Sequence, residues 1–175
     1  MNKNINNVYA SDISLEATKL AHKNAENNNV KIITKCGNVF QPWKRDKFDY
    51  IINDVSGISE RLSRASTWFE GISCKSGADG TKLVTEALKN SKKNLKKNGK
   101  FFFPILSFSN TEKILICARK SYKNVKLISH KEWVMPKELK KHRNLLDLLR
   151  EKKYISFKEK FGMLVWYTDI YVAFN

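Results

Sequence analysis

The sequence predicts an α/β fold with a mainly parallel sheet, on three observations. Short β-prone runs alternate with stretches of roughly 10 to 15 residues that carry apolar side chains at helical spacing. Some of those runs, such as Phe48–Asp54 (FDYIIND), are almost continuously apolar, which suits a strand covered on both faces. No internal repeat, low-complexity linker or composition break divides the 175 residues, so one domain with one core is expected over 1–175.

Taken in order, VYASD is a β-prone run. Ser14 follows it as a helix N-cap, with Glu16 in the first turn and Ala17, Leu20, Ala21 and Ala25 on one stripe. VKIITKCGNVF gives a second strand and FDYIIND a third. Val84, Ala87, Leu88 and Leu95 mark a helix from Thr81 to Leu95, with Gly99 placed to end it. KFFFPILSF is a fourth strand, Thr111–Tyr122 a helix with Ile114, Leu115 and Ala118 on one face, and VKLISHKEWVM another strand. Pro136 is placed to open a lysine-rich helix containing Leu139, Leu146 and Leu149, and MLVWYTDIYVAF closes the chain as a strand.

Charge narrows the partners. Lys and Arg number 33 against 17 Asp and Glu, a formal charge of +16, which favours a polyanion such as RNA. A solvated lysine-rich surface is the plainer alternative, and tracts such as Asn27-Asn28-Asn29 accord with it. Cys36, Cys74 and Cys117 are odd in number and, like His22, His130 and His142, sit at no metal-ligand spacing. No apolar stretch approaches the roughly 20 residues that cross a bilayer, and the start lacks the apolar core of a signal peptide, so a cytoplasmic protein is expected.

In open parallel sheets, ligands bind beyond the carboxyl ends of the strands. Those ends carry Asp12, then Gly37-Asn38, then Asn53-Asp54. A carboxylate offers two acceptors to a ribose diol, and an amide can both donate to and accept from an adenine edge. Each residue alone is more often a turn former. Three at successive strand ends favour a nucleotide-like ligand.

VYASDIS, CGNVF, FDYIIND and the segment from Gly77-Ala78-Asp79-Gly80 to Phe103, in that order, resemble the S-adenosylmethionine-dependent methyltransferases of the Rossmann-like class. The resemblance is to the small-domain branch that methylates amide or exocyclic nitrogens, in which the relevant strand ends in Asn-Pro-Pro-Tyr and a Gly-Gly-x-Asp-Gly loop opens the next helix. It covers about Val8 to Phe108. It implies a Rossmann-like sheet with helices on both faces and S-adenosylmethionine as cofactor. Asp12 and Ile13 would lie at the ribose, Asn38 and Val39 at the adenine edge, and Asn53 would face the methyl donor.

Two departures stand out. The family's first strand and glycine-rich turn should precede Asp12 by about 20 residues, where only MNKNINN stands. The first strand is therefore expected to be missing: supplied from elsewhere, lost in a fragment of a longer gene, or made unnecessary by a remodelled pocket. Strands beginning near Val8 and Asp49 would then pair directly or leave unpaired edges open to self-association. Second, Asn53-Asp54-Val55-Ser56 replaces Asn-Pro-Pro-Tyr, so the stacking ring is lost, while Asp54 can accept a hydrogen from the target. Trp68 and Phe69 follow in a loop and would stack on a flipped base, with Arg61 and Arg64 on phosphate, or would anchor the core instead. The expected function is methyl transfer to a nitrogen of RNA or of a translation-related protein. The alternatives are a catalytically inactive module that binds nucleic acid and a protein glutamine methyltransferase.

Overall fold

Asp12 ends the first strand and also starts the first helix. In the computed structural model, which describes residues 7–71 and 74–175, its Oδ1 accepts from the Ser14 amide at 2.8 Å. Ser14 Oγ in turn accepts from the Ala17 amide at 3.1 Å, the N-cap bond that the sequence predicts. Strand β1 (Val8–Asp12), helix α1 (Leu15–Asn27) and the parallel strand β2 (Ile32–Cys36) make a right-sized β–α–β crossover. Trp43 is the buried centre of this unit, donating its Nε1 hydrogen to Ser11 Oγ and meeting the edge of Tyr9. The unit ends at Asp46, and a second unit begins at Lys47. Met1–Asn6, on which part of the expectation about a missing first strand rests, lie outside the described residues.

The second unit is built on a sheet of order β3 (Phe48–Ile52), β4 (Leu95–Leu106), β7 (Met163–Phe174) and β5 (Asn124–Val134), with β6 (Lys158–Lys160) paired to β7. The fold is mixed α/β with a central sheet and helices. It is less parallel than predicted: β3 and β4 run parallel, whereas β7 is antiparallel to β4, β5 and β6. Apolar periodicity records which faces are buried and carries no information on strand direction, so β7 could be recognised but not oriented. Among the described residues β1 pairs with β2 and β3 with β4, leaving each at a sheet edge.

Four further expectations are corrected. FDYIIND is not covered on both faces, since Tyr50 and Ile52 are 65% and 81% exposed on the edge strand. The helix predicted over Thr81–Leu95 is α3 (Lys82–Ser91) followed by a short 3-10 turn, and Leu95 already belongs to β4. Gly99 therefore lies inside β4, where the register with β3 jumps and the Phe48 carbonyl leaves no room for a side chain. The helix opened by Pro136 divides into α5 (Lys137–Lys140) and α6 (Arg143–Glu151).

The core collects Leu62, Phe69, Phe108, Met135 and Trp166 with Leu139, Leu146 and Leu149 of the two short helices. Helix α2 (Glu60–Ala65) contributes Leu62, and α4 (Thr111–Ser121), capped by Asn110 on the Lys113 amide, buries Ile114 and Ala118. On another part of the sheet Phe101 and Phe103 stack on each other, with Tyr122 on Phe101 and Tyr171 on Phe103. Among the described residues no helix is long and apolar enough to cross a membrane.

Candidate active site

β3 stops at Asn53 for a reason found on its neighbour. The Asn53 amide donates to the Phe102 carbonyl at 2.8 Å, so the next rung of a parallel ladder would run from residue 104 to the Asn53 carbonyl. Residue 104 is proline and has no N–H to give. β4 tolerates the proline because Phe103 and Ile105 carry the pairing toward β7. The chain leaves the sheet at Asn53 with its backbone carbonyl released from the ladder. Asn53 is 7% exposed, and its amide Nδ2 has no hydrogen-bond partner among the described residues. Burying an amide N–H without an acceptor costs about 1–3 kcal/mol, which a ligand acceptor would offset.

Asp54 follows, an exposed residue whose carboxylate is partly shielded from water. Loss of water around its carboxylate holds its pKa above the usual carboxylate value. Asn53 and Asp54 thus present, side by side, an unpartnered amide and a carboxylate that takes up a proton more readily than a free one.

The loop that follows is fixed by Gly77-Ala78-Asp79-Gly80. The Glu60 amide donates to the Gly77 carbonyl, the Gly77 amide donates to Glu60 Oε1 at 2.8 Å, and Ser59 Oγ donates to the Ala78 carbonyl at 2.6 Å. Asp79 Oδ1 accepts from Thr81 at the start of α3, and Oδ2 pairs with Lys113 of α4 at 2.6 Å. Burial opposes ionisation of Asp79, but the bonds from Lys113 and Thr81 outweigh it and hold its carboxyl below the usual range. Gly80 sits at φ +72°, and a Cβ there would lie 2.8 Å from the Ile58 carbonyl carbon, the Ser59 nitrogen and Ser109 Cβ. The loop opens α3 as the resemblance implies. Its work is to clamp the segment after Asn53 to the starts of two helices.

Trp68 and Phe69 are divided by the fold. Phe69 is buried against Phe108 and cannot offer a ring face to a base, so for this residue the core-anchor alternative holds. Trp68 is 40% exposed and stands edge-on to Phe69, Phe108 and Trp166. Arg64 is exposed and paired with Glu60 one helical turn away, while Arg61 is exposed on the same short helix.

In the first unit Asp12 commits one oxygen to Ser14, and neighbouring Ile13 is 66% exposed. Asn38 carries its backbone carbonyl to the Gln41 amide. Val39 has φ +44°, a conformation that β-branched residues seldom adopt and that is found where a site over-determines the backbone. Among the described residues no group of three or more His, Cys, Asp or Glu is placed to hold a metal. The sequence signal for Pro104 is a proline inside the strand pattern FFFPIL, which the spacing of apolar residues does not single out.

Comparison with known proteins gives concordant results. A family model described as FtsJ-like methyltransferase matches residues 1–131. Two bifunctional methyltransferases, from Rickettsia prowazekii (strain Madrid E) and Rickettsia typhi (strain ATCC VR-144 / Wilmington), are 33% and 34% identical over 115 and 114 residues. These matches cover 62% and 61% of this chain, and 22% of the length of each relative. Among solved structures, the YcgJ protein of Bacillus subtilis aligns with a TM-score of 0.55 over 95% of this chain and 82% of its own, at 12% identity. A ribosomal protein L11 methylase of Lactobacillus delbrueckii subsp. bulgaricus aligns with a TM-score of 0.53 over 97% of this chain and 59% of its own, at 13% identity. At such identities the structural matches show the fold.

Proposed function

The chain belongs to the FtsJ-like methyltransferase family, and from that premise we propose that it transfers a methyl group from S-adenosylmethionine to a nitrogen of RNA or of a translation-related protein. The observation that carries the proposal is Asn53: a buried amide with an orphaned Nδ2, at a strand end whose carbonyl Pro104 has released.

The lone pair of an amide or nucleobase nitrogen is delocalised, so such a nitrogen attacks poorly unless its hydrogens are drawn off and its plane is held in line. Asn53 Oδ1, the Asn53 carbonyl and the Asp54 carboxylate are acceptors for those hydrogens. Asn53 Nδ2 is a donor for the oxygen that amides and several bases carry beside the reacting nitrogen. Asp54, with its pKa raised by lost hydration, is suited to receive the proton released as the nitrogen is methylated. Trp68 supplies an aromatic edge and Arg61 a positive charge on the same unit. The net charge of +16 supports RNA as the substrate class.

On this reading the residues of the first unit would hold the nucleoside part of the cofactor. Asp12 keeps an oxygen for a ribose hydroxyl, Ile13 offers apolar surface, and Asn38 with Val39 forms a constrained turn bearing an amide. When bound, S-adenosylmethionine supplies an electrophilic sulfonium methyl group. Asn53 also keeps the Asn-Pro-Pro-Tyr branch, and with it protein glutamine methylation, within the proposal, although Asp54-Val55-Ser56 departs from that motif.

The test is transfer of labelled methyl to total RNA and, separately, to ribosomal protein. Asn53→Ala is expected to abolish transfer while RNA affinity and its salt slope stay unchanged, because one neutral side chain at a strand end adds little to phosphate contacts. Full transfer by Asn53→Ala would overturn the site. RNA binding without any transfer would leave the nucleic-acid-binding module as the function.

A further inference from the structure

Phe161 is 99% exposed, the most exposed large apolar side chain among the described residues. It stands at the tip of the β6–β7 hairpin, where Lys160 pairs with Met163 across a two-residue turn of Phe161 and Gly162. Both turn residues have positive φ, +49° and +71°, the signature of a type I′ turn. Asn or Asp is the ordinary choice at the first of these positions, because a bulky side chain there is strained. The phenylalanine thus costs conformational energy and exposes a ring to water, and no contact among the described residues repays either. Strained residues cluster where a structure meets a ligand, and this one is open to a partner.

The surroundings indicate which partner. Lys158 and Lys160 lie on one face of the hairpin, and Lys152 and Lys153 are exposed on the segment leading to it. Lys160 is paired with Glu132, whose carboxylate also feels the charge of Lys158, whereas Lys152 and Lys153 make no ion pair among the described residues. An exposed ring flanked by lysines in excess of their acidic partner is complementary to unpaired nucleotides, with stacking on the base and cations on the phosphates. The hairpin lies beyond residues 1–131 that match the methyltransferase family.

We propose that the β6–β7 hairpin is an RNA-binding finger in which Phe161 stacks on an unpaired base while Lys152, Lys153 and Lys158 contact the adjoining phosphates. The proposal does not depend on methyl transfer, and its test uses no methyl donor. The probe is a fluorescein-labelled single-stranded RNA of mixed sequence, titrated by anisotropy against the full chain and its variants at several salt concentrations. Phe161→Asn is expected to weaken binding about tenfold, within the roughly 5- to 150-fold set by one base on one ring, with an unchanged salt slope. Its thermal midpoint should stay level or rise, since asparagine suits the turn. Phe161→Trp should retain affinity and add an emission quenched by RNA. Lys152→Gln combined with Lys158→Gln should weaken binding and flatten the salt slope.

Wild-type affinity in a folded Phe161→Asn variant would overturn the proposal. So would loss of vesicle co-sedimentation, or of a dimer in light scattering, without loss of RNA affinity, since the ring would then serve an anionic membrane or a second copy of the chain.

Discussion

Replacing Gly80 with alanine tests whether the Gly77–Gly80 loop clamps the strand end that carries Asn53. Two costs are expected. At φ +72° an L-residue costs about 1–2 kcal/mol relative to glycine. The new methyl would also lie 2.8 Å from two backbone atoms and from Ser109 Cβ, none of them the end of a flexible side chain, so the backbone must move, at about 1–3 kcal/mol. Gly162 provides the control: its φ is +71°, but nothing lies within 4 Å of a Cβ placed there, so Gly162→Ala incurs the conformational cost alone. Urea unfolding followed by circular dichroism should therefore place the midpoint of Gly80→Ala about 1 M below that of Gly162→Ala, from the 1–3 kcal/mol difference and a slope of about 1–3 kcal/mol/M. Methyl transfer should fall in Gly80→Ala. Coincident midpoints would refute the clamp, because they would show that the loop yields without disturbing Ile58, Ser59 or Ser109.

Pro104→Ala restores an N–H facing the Asn53 carbonyl, so hydrogen exchange should show a protected amide at residue 104 and methyl transfer should drop; a protected amide with unchanged transfer would remove the carbonyl from the mechanism. For Asp54, whose folded pKa is raised by lost hydration, the folded chain holds a proton to higher pH than the unfolded chain does. Its contribution to stability is thus present below the ordinary carboxylate range and lost as pH rises through the raised value, so wild type should lose stability relative to Asp54→Asn across that window. The acid limb of the pH–rate profile should also sit above the ordinary carboxylate range and disappear in Asp54→Asn. Titration with S-adenosylhomocysteine should show Asp12→Asn weakened by about 1.5–3 kcal/mol, the scale of hydrogen bonds involving a charged group, with α1 still capped because asparagine retains the acceptor for Ser14.

Residues whose role is local could be read from sequence. Ser14 caps α1 because its neighbours in the chain are the groups it bonds, and Asn110 acts in the same way on α4. Val84, Ala87 and Leu88, and Ile114 with Ala118, line buried helix faces because helical spacing alone puts them together. The strand-end residues Asp12, Asn38 and Asn53 were likewise visible as the polar stops of apolar runs. Gly99 was misread: a glycine after a helical stripe resembles a helix end, and only the approach of the Phe48 carbonyl shows it to be a strand residue.

The sequence by itself determined an α/β chain, its helix faces, its basic charge and the polar groups that end its strands, since these follow from short-range spacing and composition. Tertiary structure decided what depends on groups far apart in the chain. Pro104 of β4 releases the carbonyl of Asn53, Gly80 locks against Ile58 and Ser109, and β7 runs antiparallel between β4 and β5. The same fold buried Phe69 while leaving Trp68 half-open and Phe161 bare, a distinction absent from hydrophobicity, because exposure is set by what else packs at the same place.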